Sequence, residues 1–68
     1  MRVNRKKLML EMAKTCLSAA ELARKAKMPD STLNRLMQGK EVFPVTAGKV
    51  ARALGVDVTE IIELEDFQ

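Results

Sequence analysis

The sequence predicts an all-α fold, a compact five-helix bundle forming one domain over residues 1–68. Two observations carry that expectation. Hydrophobic residues make up 47% of the chain and aromatics only 3%, which suits an Ala, Leu, Val and Met core between helices better than a β-sandwich or barrel. Apolar residues also recur at three- and four-residue spacing along most of the chain, as helices that bury one face require. A chain of this length buries only about 60% of the surface its unfolded form exposes, so a small core of modest stability is expected.

The first helix is expected from about Asn4 to Lys14, with Leu8, Met9, Met12 and Ala13 inward and Arg5, Lys6 and Lys7 near its start. Cations there oppose the helix dipole, which makes Arg5 and Lys6 candidate partners for a phosphate; an ordinary solubilising cluster is the competing reading. The second helix opens with Ser18 and Glu21 in capping-box spacing and turns Ala19, Leu22, Ala23 and Ala26 to one face. In the third, expected over about 29–38, Leu33, Leu36 and Met37 point inward while Ser31, Asn34, Arg35 and Gln38 recur outside. Gly39 stops it, and residues 40–45 form a loop. Thr46 is the expected N-cap of the fourth helix, which buries Ala47, Val50, Ala51 and Leu54 and stops at Gly55. Asp57, in capping-box spacing with Glu60, opens the fifth, packed by Val58, Ile61, Ile62 and Leu64.

Two short amphipathic helices joined by a tight turn, the second with a polar outer stripe, make a helix-turn-helix pattern over Ser18–Lys40. These residues, with FPVTAGKVARALGV after them, resemble the phage-repressor and Cro-like helix-turn-helix family of lambda-repressor-like domains. Glu21-Leu22-Ala23 matches the family's first motif helix, Ser31-Thr32-Leu33 and Arg35 its recognition helix, Gly39-Lys40 its exit, and Ala51 to Val56 its fourth helix. The resemblance implies double-stranded DNA as partner, a homodimer on that DNA, and a third helix lying in the major groove, whose width admits an α-helix. It also implies that Pro29, Asp30, Ser31 and Arg35 face bases, while Thr32, Lys40 and Thr46 meet phosphate. Asn34 shares the outer face with Ser31. Arg35 can donate two hydrogen bonds to guanine O6 and N7, and Asp30 can accept from a cytosine amino group.

The chain departs from the family at four places. Ala19 stands where a phosphate-anchoring Gln is usual, Lys27 where the turn often has Gly, Met37 where an acid is frequent, and Pro29 at the recognition helix start. A positive φ angle at Lys27 would carry a steric cost. The bland readings also stand: Arg35 as a solvated helix arginine, Lys40 as a lysine beside a helix end, Ser31 and Thr32 as early-helix capping groups, Asn34 as inert surface.

Charge follows the same division. Residues 1–40 hold ten Lys and Arg against three acids, and residues 41–68 two against six, so the halves carry +7 and −4. A polyanion is drawn to the half that holds the motif. No histidine is present, which removes imidazole catalysis, Ser-His-Asp and Cys-His arrangements and the common zinc sites; neither a metal nor a cofactor is expected, nor an enzyme. Gly39-Lys40 resembles the end of a phosphate-binding loop but lacks the earlier glycine and the strand. Two phenylalanines are too few for base stacking on single strands.

The lone Cys16 cannot form an internal disulfide and reads as buried packing; a redox-sensing role lacks a resolving cysteine. With no stretch near the roughly 20 apolar residues of a membrane span and no secretion-signal core, a cytoplasmic protein is expected. The function expected is therefore a sequence-specific transcriptional regulator, most simply a repressor, dimerising through Phe43, Val45 and Phe67. The alternative is a protein-interaction module, an adaptor or antitoxin-like partner on the same scaffold, allowed by Ala19 and Asp30.

Overall fold

The computed structural model describes residues 1–63, where helix starts follow local chemistry closely. Asn4 opens α1 (Arg5–Thr15) by accepting the Lys7 N–H at 3.0 Å. The expected capping box opens α2 (Ala19–Lys25): the Glu21 N–H donates to the Ser18 hydroxyl, and the Ser18 N–H donates to the Glu21 carboxylate. Pro29 precedes α3 (Asp30–Met37) in an extended conformation. Pro44 takes the first position of α4 (Pro44–Leu54), where its fixed φ and missing N–H cost nothing. That start corrects the expected N-cap: Thr46 lies inside the first turn, its N–H donating to the Phe43 carbonyl at 2.9 Å.

All four α-helices among the described residues end by one device. Cys16, Lys27, Gly39 and Gly55 take positive φ angles, and each donates its N–H three residues back while the next residue donates five back, the Schellman arrangement. The paired bonds are Lys27 to Arg24 (3.1 Å) with Met28 to Ala23 (3.0 Å), and Gly39 to Leu36 (3.2 Å) with Lys40 to Arg35 (3.2 Å). Two of the four positions thus hold a residue with a side chain. Lys27 accepts φ 58 in the motif's turn, so the geometry glycine usually supplies is kept despite the substitution. Cys16, at φ 58, is exposed, which corrects its expected burial: the reversal turns its side chain to solvent.

The fourth helix is the centre of the packing, touching α1, α2 and the segment after it, while α2 also packs on α3. Leu8, Leu22, Leu33, Leu36 and Val50 are fully buried, and Ala23, Ala26, Ala47, Ala51 and Ala53 complete the core with side chains small enough for close helix approach. Met9 and Ala13, expected inside, are exposed; the buried stripe of α1 is Leu8 and Glu11 with Met12 half-buried, and Glu11, 8% exposed, pairs with Lys14 at 3.3 Å.

The expected fifth helix is replaced among the described residues by a single 3-10 turn, η1 (Val58–Glu60). Asp57 caps it, but its carboxylate accepts from both the Thr59 N–H (2.9 Å) and hydroxyl (2.8 Å), a local loop of hydrogen bonds that competes with a continuing helix. The β-branched Ile61 and Ile62 then run alongside residues 2–4 instead. The Asn4 N–H donates to the Ile61 carbonyl at 2.7 Å, the Glu63 N–H to the Arg2 carbonyl at 2.9 Å, and Val3 bridges Ile62. The same N-terminal strap pairs Arg2 with Glu41 and Met1 with Val42, so it ties the α3–α4 loop to the residues after η1. Val3, 2% exposed, pins it to the core. Leu64, the acidic segment from Glu65 and Phe67 lie outside the described residues.

Replacing Lys27 by glycine removes the steric penalty of its positive φ without loss of packing, since the side chain is exposed. We expect K27G to be more stable by about 0.5–1 kcal/mol in urea titrations. Acid acts in the opposite sense. The Ser18 backbone N–H, then its hydroxyl, hold the Glu21 carboxyl below the ordinary carboxylate range, and the Thr59 backbone N–H, then its hydroxyl, do so for Asp57. Depressed folded-state values stabilise above the unfolded pKa of about 4 and lose that contribution as pH falls through the folded values. Urea midpoints should therefore drop below about pH 4, with a shallower drop in Glu21→Gln.

Candidate nucleic-acid interface

The inner face of α3 is locked by Leu33 and Leu36, both buried in the core, and this decides where the other residues point. Pro29, Asp30, Ser31, Asn34, Arg35 and Gln38 are exposed, while Thr32 and Met37 are half-buried at the edges. Asp30, in the first turn, is also the residue type the helix dipole favours there.

Among the described residues, two open grooves flank this face. The larger, about 580 Å³, lies between α3 and the start of α4 and is lined by Thr32, Arg35, Glu41, Val42, Phe43 and Thr46. Three residues picked from sequence, Thr32, Arg35 and Thr46, thus meet in one groove. Arg35 reaches across to the loop, its Nη2 donating to the Glu41 carbonyl at 3.4 Å. The smaller groove, about 220 Å³, is lined by Ala19, Ala20, Asp30, Leu33 and Asn34. It is open where the family's Gln would stand, because Ala19 and Ala20 have almost no side chain.

Lys40 is exposed just past α3, its backbone closing the helix, and lines neither groove. Arg5 and Lys6 are exposed in the first turn of α1, next to the Asn4 that bonds Ile61 and Glu63, and also line neither groove. Sequence reasoning passed over Glu41, Val42 and Phe43 as groove residues. Reading Pro44 as the first helical position would have put Phe43 at the helix start, where it stands 80% exposed; nothing local marked Glu41, whose place is set by pairing with Arg2.

Two crossing helices, a tight turn, and a second helix with an apolar inner and polar outer face define a helix-turn-helix DNA-binding domain. The chain belongs to the family of Cro/C1-type helix-turn-helix DNA-binding domains, which it matches over residues 7–66. No curated protein matches it. Among solved structures it is similar to a variant of hydroxyethylphosphonate dioxygenase, at 30% identity and a TM-score of 0.80, over 93% of this chain and 14% of that one. The chain spans 14% of that enzyme's length, so the likeness is to one part of it. Among the described residues no helix is long and apolar enough to cross a membrane.

Because the outward residues carry no core contacts, their removal should leave folding intact. Arg35→Ala and Lys40→Ala are expected to unfold within about 0.5 kcal/mol of the parent in urea titrations, so that any binding defect reports contact rather than misfolding.

Proposed function

We propose that the protein is a sequence-specific transcriptional regulator, a repressor that binds double-stranded DNA in the cytoplasm and occludes a promoter. The observation that carries this reading is the meeting of Arg35, Thr32 and Thr46 in one groove beside the polar face of α3, in a chain of a DNA-binding family. The third helix lies in the major groove. Arg35 donates to guanine O6 and N7, Ser31 and Asn34 contact neighbouring base edges, and Pro29 and Asp30 face the bases at the helix start, Asp30 accepting from a cytosine amino group. Thr32, Thr46 and Lys40 hold phosphates on either side, with Arg5 and Lys6 as outlying contacts from α1; these set affinity and register rather than sequence.

A homodimer supplies the second half-site, about 34 Å along the duplex, since one copy reads too few bases for genomic selectivity. Phe43 and Val45, 80% and 69% exposed, are the apolar residues offered for that contact; Phe67 lies outside the described residues. A second reading, a module that docks another protein, draws on the same two exposed side chains and on Ala19 in place of the phosphate-anchoring Gln.

Selection from a randomised duplex library at near-physiological salt separates the two, because non-specific attraction is weak there while base readout survives. Enrichment of a two-fold symmetric motif is expected. On that motif Arg35→Ala should lose about 1–3 kcal/mol of discrimination at one base pair, and Lys40→Ala should weaken all sequences alike and lower the salt slope by about 1. Parent-like binding by both variants would sink the groove reading, and enrichment of nothing would favour the protein-docking module.

A further inference from the structure

The N-terminal strap puts a cation beside the larger groove that no sequence pattern marks. Arg2 and Glu41 are paired across an antiparallel bridge, and Glu41 lines the groove with Arg35, Thr32 and Thr46. Residues directly opposite in such a pair project to the same side, with Cβ atoms roughly 5 Å apart. Val3, the next residue, points into the core at 2% exposure, so alternation along the strap sends the Arg2 side chain outward, and it is exposed. The backbone holds this arrangement on both sides of Arg2. The Val42 N–H donates to the Met1 carbonyl at 2.8 Å and the Glu63 N–H to the Arg2 carbonyl at 2.9 Å.

Of the two charged side chains so placed, neither takes part in an ion pair among the described residues. Among the described residues the single salt bridge is Lys14 with Glu11, away from this region, and Arg35 spends one donor on the Glu41 carbonyl rather than on its carboxylate. Arg2 therefore stands opposite a groove-lining carboxylate, its side chain without a hydrogen bond or ion pair among the described residues and its backbone held by the hydrogen bonds of the strap.

We propose that Arg2 is a phosphate-contacting residue of the DNA interface and that Glu41 opposes it, limiting attraction to DNA of any sequence. This rests on the DNA-binding reading above and adds to it a second element, remote in sequence from the helix-turn-helix. Arg2 gives affinity common to all duplexes. Glu41, held where phosphates pass, repels them, so that duplexes lacking the contacts of Arg35 bind less well than the net basic charge of this half of the chain dictates.

The test is DNA binding as a function of salt for the parent, Arg2→Gln, Arg2→Lys and Glu41→Gln, on the selected motif and on an unrelated duplex, with thermal melting to show that each is folded. Each phosphate contact contributes about 0.9 to the slope of log affinity against log salt, which at 0.15 M amounts to roughly fivefold. Arg2→Gln should lower the slope by about that amount and weaken both duplexes about fivefold, while Arg2→Lys restores the parent slope. Glu41→Gln should tighten the unrelated duplex more than the selected one, lowering the ratio between them. An unchanged slope in a folded Arg2→Gln variant, or an unchanged ratio in Glu41→Gln, overturns the inference while leaving DNA binding by α3 in place. A parent that binds no duplex at all overturns the functional reading beneath it, and the two failures are thus distinct.

Discussion

Everything in this small fold depends on reversing the chain sharply after each helix. The helices are seven to eleven residues long, too short to persist alone, so each must meet another face almost at once. A single residue in the left-handed region does this four times, satisfying the last carbonyls of the helix with two N–H groups and redirecting the backbone. The direction of exit settles which face of the next helix is buried. At Lys27 that choice places Leu33 and Leu36 inward, and hence Ser31, Asn34 and Arg35 outward. The polar face of α3 is a consequence of the turn before it as much as of its own sequence.

Alanine does the complementary work. With Ala23 on α2 and Ala47 and Ala51 on α4, the helices approach without long side chains between them, and a few leucines suffice to fill what remains. The same economy reaches the surface at Ala19 and Ala20, where small side chains leave a groove beside Asp30 and Asn34. The outer side of α3 and the loop after it is less basic than the charge of residues 1–40 suggests, with Asp30 and Glu41 both exposed there. On the function proposed above, such a surface leans on base contacts more than on bulk attraction for its selectivity.

What was legible in the sequence was local. The Ser18 and Glu21 capping box, the Leu33 and Leu36 spacing, and the glycine stops at positions 39 and 55 each express chemistry completed within four or five residues, and each is found as read. The misreadings had either a stronger local signal or a distant partner. Pro44 outranked Thr46 as a helix start because a proline suits the first position better than a threonine hydroxyl suits the cap. Asp57 was rightly seen as a cap, but the residues beyond it are claimed by the strap, and no pattern within 58–62 announces a partner at Val3. The candidate site shows the same division: Arg35 follows from helical spacing and Thr32 from the family resemblance, whereas Glu41 joins them only through pairing with Arg2.

That strap also orders the assembly of the molecule in time. Its contacts join residues up to 61 positions apart, from Arg2 to Glu63, whereas the capping and turn bonds of the helices span three to five. Closing a loop of that length costs roughly 3.6 kcal/mol of chain entropy, against a few net hydrogen bonds and one buried valine in return. Contact separation therefore favours forming the helices and their turns first, from near neighbours, and docking the strap last. Since it holds the loop that carries Glu41, the larger groove acquires its final shape only in that last step. A chain arrested before it would have its helix-turn-helix already built and the mouth of its groove unset.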